Sequence, residues 1–172
     1  MRVRMTTLAA LAVCPALSAA SAAAQDFDRG LSAYNVADYR TAYQNWWPLS
    51  LRGDAKSQAA LGYLHYKGLG LPANPAAAAL WFGRAAEHGQ PTAQFFLGTL
   101  YLDGRGVDQD YTMAHMWCEL AVTGGFAAGL DCRDQAGLHM STDDFARSSQ
   151  MVVEWRRARR SAERPGSDRA PQ

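Results

Sequence analysis

The sequence predicts an all-α protein: a short right-handed solenoid of antiparallel helical hairpins, closed at both ends by atypical capping helices. Three observations predict it. A block of residues recurs at a spacing of 36. Apolar residues inside each block fall at helical steps. Glycines stand where each helix has to end. Repeats of this length cannot bury an apolar face alone, but stacked neighbours can.

Composition sets the bounds. The chain has 172 residues, 48% hydrophobic and 19% charged. That fits one modest globular domain and excludes a disordered chain, a collagen and a multi-span membrane protein. A formal charge of +1 supplies no global field for nucleic acid, and no nucleic-acid partner is expected.

Residues 1–24 read as a secretory signal peptide. Arg2 and Arg4 form the basic start, Thr6 to Leu17 an uncharged apolar core, and Ala22-Ala23-Ala24 the small-residue cleavage site before Gln25. The apolar core is too short to span a membrane. Leu11-Ala12-Val13-Cys14 resembles a lipoprotein cleavage box, but Val13 is too bulky for the residue before the cysteine. Export to the bacterial envelope, into the periplasm, is the expectation. From Gln25 to Trp155 the net charge is −5, while the residues from Arg156 onward carry +4 from six arginines and two acids. This arginine cluster is a candidate anionic contact, with a solvated helix end as the plainer reading.

Residues 25–53 are read as an N-terminal capping hairpin, 54–89 as repeat one and 90–125 as repeat two. Gln58, Leu61, Gly62, Leu64, Gly68, Gly70, Ala78, Trp81, Ala85 and Gly89 recur as Gln94, Leu97, Gly98, Leu100, Gly104, Gly106, Ala114, Trp117, Ala121 and Gly125. Gly62 and Gly98 stand mid-helix, where glycine costs about 1 kcal/mol against alanine. Their recurrence predicts a neighbouring helix too close for a side chain. Gly68-x-Gly70 ends the first helix of its repeat. Asn74 caps the second, with Pro75 at its first position, and Asp110 is the equivalent cap in repeat two. The Gly-x-Gly pairs lack the third glycine or Gly-Lys-Ser/Thr of a phosphate loop, so a helix terminus is the better reading. Residues 126–162 are the closing helices. Ser141 and Asp144 form a capping box there, and Met140 and Phe145 stand where a hydrophobic staple belongs. Residues 163–172 are expected to be a flexible tail, because Pro165-Gly166-Ser167 ends the helix.

The blocks 59–89 (AALGYLHYKGLGLPANPAAAALWFGRAAEHG) and 95–125 (FFLGTLYLDGRGVDQDYTMAHMWCELAVTGG) resemble the Sel1-like repeat of the tetratricopeptide superfamily. The flanks at 27–55 and 133–155 resemble the shortened first hairpin and closing helix of secreted members. The resemblance implies a binding scaffold, and says little about the partner. The chain departs from the pattern at His65, where tyrosine is usual, at Leu71-Pro72, and at Cys118, where an aromatic is usual. Some disulfide-rich secreted members have been linked to β-lactam binding or hydrolysis, which makes an envelope hydrolase or β-lactam-binding protein the rival reading. Their cysteine pairs recur in each unit, whereas this chain has one pair.

Cys118 and Cys132 each lie seven residues from the turn glycine Gly125, so a hairpin sets them level. Phe82 and Phe96 hold the same places around Gly89. The pair is read as a disulfide replacing a Phe–Phe contact, with two buried free thiols as the alternative. A zinc site from His115, Cys118, Cys132 and His139 matches no ligand spacing. No Gly-x-Ser-x-Gly, His-Glu-x-x-His or Ser-x-x-Lys is present in the sequence. No enzymatic activity, cofactor or metal is expected. The candidate partner surface is a stripe at steps of four and three on each first helix: Ala59, Tyr63 and Tyr66, then Phe95, Thr99 and Leu102, then Asp131, Gln135 and Leu138. Aromatic residues beside polar ones suit an envelope protein or peptide, although Phe95 and Leu102 could equally be core.

Overall fold

The computed structural model describes residues 26–163. The segment read as a signal peptide, its expected cleavage site, the lipoprotein-like box and the expected tail from residue 164 lie outside the described residues. Among the described residues eight helices follow one another: α1 over 26–35, α2 Tyr39–Leu51, α3 Ala55–Lys67, α4 Pro75–Glu87, α5 Pro91–Asp103, α6 Tyr111–Thr123, α7 Gly129–Gly137 and α8 Thr142–Glu163. No strand occurs among the described residues. Odd-numbered helices form one layer and even-numbered helices the other; from α2 to α7 each helix packs on its chain neighbours, and α8 packs on α6.

The helices begin where side chains satisfy the first free N–H groups. Asp38 accepts from Thr41, Asp54 from Ser57, Asn74 from Ala77 and Asp110 from Met113. Gln90 caps α5 in the same way, accepting from Thr92 and Ala93. Pro75 and Pro91 each take a first-turn position, where a missing N–H costs nothing. Gly68 and Gly104 end α3 and α5 in the left-handed conformation, at φ 70° and 65°. The second glycine of each Gly-x-Gly serves packing. A Cβ on Gly106 would collide with the Pro75 backbone at the start of α4, and one on Gly70 would lie 2.7 Å from the Cβ of Tyr39 at the start of α2.

The mid-helix glycines do what their recurrence predicts. A Cβ on Gly62 would lie 2.7 Å from the ring of Phe82, and one on Gly98 would collide with Sγ of Cys118. Phe82 is fully buried and stacks on Phe96 at 5.0 Å between centroids. One repeat later a disulfide joins Cys118 to Cys132, with Cα atoms 6.0 Å apart. It ties α6 to α7.

The recurring glutamine has a role that periodicity did not reveal. Nε2 of Gln58 donates to the Ser50 carbonyl at 3.0 Å, and Nε2 of Gln94 to the Ala86 carbonyl at 3.2 Å. Each satisfies a lone pair at the end of the preceding helix, inside the core. Gln94→Ala should cost about 1 kcal/mol, because Ala86 keeps its bond from the Gly89 N–H. Gln94→Glu should cost more, since a buried carboxylate would face a carbonyl. Urea denaturation of the two variants checks the order.

The closing helix follows its capping box. The Asp144 carboxylate accepts from the Ser141 N–H at 3.0 Å and hydroxyl at 2.7 Å, and the Asp144 N–H donates to Ser141 Oγ at 3.2 Å. Phe145 packs edge-on to His115 at 5.2 Å and beside Gly137. α8 then lies back across the even-numbered layer. Val152 is buried, and Trp155 meets Trp117 at 6.4 Å. Two arginines of the cluster are used in this packing. Arg156 donates to Thr123 Oγ1 at 2.7 Å, and Arg159 to the Glu87 carbonyl at 3.4 Å. Arg157 and Arg160 are exposed.

Candidate functional site: an aromatic groove on the odd-numbered layer

The three-residue turn between α1 and α2 replaces the seven-residue loops of the two full repeats. It shifts the register of α1 to a spacing of 32 from α3. Gly30 stands to Trp46 as Gly62 stands to Phe82, a close approach of backbone to ring. At that spacing Phe27, Leu31 and Tyr34 occupy the places of Ala59, Tyr63 and Tyr66. The candidate stripe therefore continues onto α1, which a search at 36 misses.

Between α1 and α3 these residues bound an open groove of about 370 Å³. Phe27, Leu31 and Tyr34 form one wall. Lys56, Ala59, Ala60 and Tyr63 form the other, and Gln90, Thr92 and Phe96 the end. Trp46 closes the floor, stacked on Phe27 at 5.8 Å and fixed by an Nε1–H bond to the Phe27 carbonyl at 3.1 Å. Lys56 is the only charged residue of the lining.

An aromatic ribbon runs on from the groove. Tyr34 meets Tyr63 at 6.4 Å, Tyr63 meets Phe96 at 5.5 Å, Phe96 meets Phe95 at 5.1 Å and Phe95 meets Phe126 at 5.2 Å. Tyr66 lies on Phe96 at 5.4 Å, with Lys67 and Arg105 over its ring at 5.3 and 5.2 Å. Burial pushes the Tyr34 hydroxyl pKa up, and the neighbouring Tyr63 and Tyr39 push it further.

The predicted stripe is thus only partly one site. Tyr63 lines the groove, while Tyr66 and Phe95 belong to the ribbon. Thr99 and Leu102 are half-buried farther along α5, where the Thr99 hydroxyl bonds the Phe96 carbonyl at 2.7 Å. Gln135 is exposed on α7, away from the groove, and donates to Asp131 at 2.9 Å.

Among the described residues one serine–histidine hydrogen bond occurs, between Ser148 Oγ and His115 Nδ1 at 2.8 Å. Ser148 is fully buried and joins α8 to α6, and the pair lines a cavity of about 420 Å³ together with Glu119 and Arg133. His139 stacks on Tyr111 at 4.5 Å. Burial pushes the His115 pKa down, Glu119 and Asp134 pull it up, and Arg133 pushes it down. His65 is also pushed down by burial. The folded state therefore binds fewer protons than the unfolded one. The stability these neutral rings contribute is present above the unfolded value of about 6.5 and is lost as pH falls through the folded values. Thermal melts from pH 7.5 to 5 should show falling stability, and His115→Gln should flatten the slope.

The Sel1 repeat family model matches the chain twice, over residues 55–90 and 91–126. The fold is similar to a protective antigen present in uropathogenic Escherichia coli strains displaying an SLR fold, with TM-score 0.73 and 21% identity. That likeness covers 87% of this chain and 34% of the antigen's, so this chain spans about a third of its length. A Sel1 repeat protein from Oxalobacter formigenes is similar at TM-score 0.61 and 24% identity, over 70% of this chain and 93% of its own. No curated protein matches the sequence. At these identities the likenesses speak for the fold alone.

Proposed function

Because the chain is a Sel1-repeat protein, we propose that it is a non-enzymatic interaction scaffold of the bacterial envelope. Its partner is a protein or peptide that binds along the odd-numbered helices. One observation carries this reading: a groove of about 370 Å³ with mainly apolar walls opens into a ribbon of aromatic side chains. Tyrosine and tryptophan bury large area at little entropic cost and leave polar tips for hydrogen bonds. The mechanism is rigid display. The hairpins hold the ribbon in place, so a partner is ordered on a surface that does not itself need ordering.

Export rests on the leader read in residues 1–24, and a disulfide fits an oxidising compartment. Mass spectrometry of the periplasmic fraction should find a chain beginning at Gln25. A chain retaining Met1 in the cytoplasm contradicts export.

The test of binding is affinity capture from envelope extract with the native protein and with Tyr34→Ala/Tyr63→Ala. The reading expects one dominant protein captured by the first and lost by the second, with the two proteins equally folded by circular dichroism. Identical captures contradict it. Turnover of a chromogenic β-lactam would favour the hydrolase reading instead.

A further inference from the structure

The repeats supply an internal comparison. A cavity of about 380 Å³ lies between the start of α2 and the end of α3, bounded by the Gly70–Leu71 loop. Thirty-six residues later the same place, between α4 and α5 and beside Gly106 and Val107, holds a cavity of about 410 Å³. The scaffold is shared, but the lining is not. The first cavity presents Arg40, Tyr43, Gln44 and His65, and the second presents Ala76, Ala79, Leu80 and Tyr101 at the matching positions. A stacking contact between hairpins needs none of those polar groups, since the second repeat is built without them.

The charge differs too. Arg40 is the only permanently charged group in the first cavity, and no carboxylate lines it. Arg40 takes part in none of the ion pairs among the described residues. Its nearest acidic neighbour in sequence, Asp38, is engaged as the cap of α2. The second cavity carries both Arg84 and Glu87. His65 also lines the first cavity. Aromatic walls stand beside it, with Tyr43 stacked on Trp47 at 5.4 Å and edge-on to His65 at 6.3 Å.

We propose that the cavity between α2 and α3 is a binding site for a small aromatic carboxylate. Arg40 holds the carboxylate, which its planar guanidinium matches in two hydrogen bonds. Tyr39 and Tyr43 cover the ring, and His65 and Gln44 bond a polar substituent. The cavity falls within the size range of small-molecule sites. It shares no lining residue with the aromatic groove, so it stands or falls apart from the scaffold reading.

The test is a titration of the purified, isotope-labelled protein followed by amide chemical shifts. The probe is benzoate, with uncharged benzamide as its control. Arg40→Ala and His65→Ala are compared with His65→Tyr, which installs the residue of the second repeat in a scaffold that accepts it. Benzoate at millimolar concentration should shift residues 39–44 and 65–71 selectively. Arg40→Ala should weaken that response about tenfold, and both His65 variants should leave it nearly unchanged, because benzoate carries no polar substituent for His65 to bond. No shift at these residues, an equal response to benzamide, or an unchanged response in Arg40→Ala overturns the proposal.

Discussion

Phe82→Ala should cost about 3–5 kcal/mol, the usual range for a fully buried phenylalanine. Stabilities of single domains are about 5–15 kcal/mol, so this change removes a large part of the total. The ring is sandwiched between Gly62 on one helix and Phe96 on another. Its loss leaves a void where hairpins stack, and the melting temperature should fall by roughly 10 °C or more. A second substitution makes the prediction sharper. Gly62→Ala alone puts a methyl 2.7 Å from the Phe82 ring and should destabilise. In the Phe82→Ala background that clash is gone. The added methyl then fills part of the void, and alanine gains about 1 kcal/mol of helix propensity over glycine. The sign of Gly62→Ala should therefore reverse between the two backgrounds. Urea denaturation of the four proteins checks it. A Gly62→Ala effect of the same sign in both would mean that the glycine is not there for the ring.

Removing the disulfide is the second large effect. Cys118→Ala/Cys132→Ala opens a loop of about 15 residues and should cost about 3 kcal/mol. The damage should centre on the closing end, because the bond ties α7 to α6. Hydrogen exchange should quicken in α7 first and leave α3 and α4 protected. Cys118 faces Gly98 as Phe82 faces Gly62, and Cys132 stands where Phe96 stands. Cys118→Phe/Cys132→Phe should therefore recover part of the loss by restoring the stacked pair of the previous repeat. Calorimetry of the three proteins checks the order: native, then the phenylalanine pair, then the alanine pair.

Particular residues explain how far the sequence could be read. The two full hairpins were legible because close packing repeats: Gly62 and Gly98 admit the same neighbour twice, and Asn74 and Asp110 cap the same helix twice. The capping box of Ser141 and Asp144 was legible because it is local. The path of α8 back over the even-numbered layer was not. It rests on long-range contacts, such as Arg159 reaching the Glu87 carbonyl 72 residues away, that no periodicity encodes. Phe145, expected beside Met140, also packs on His115 of α6, a contact that no local spacing encodes. The site was half legible. Tyr63 and Tyr66 could be placed on one face by helical steps. Phe27, Leu31 and Tyr34 could not, because the short first turn breaks the 36-residue register. A search at 32, anchored on Gly30–Gly62 and Tyr34–Tyr66, would have found them.

The scaffold claim is tested most directly by photocrosslinking in intact cells. A photoreactive residue is placed at Tyr63, inside the groove, and in a second protein at Val153, exposed on α8. The account predicts one dominant protein adduct from position 63 and none of it from position 153. The same adduct from both positions, or none from position 63 in a folded and exported protein, would contradict it.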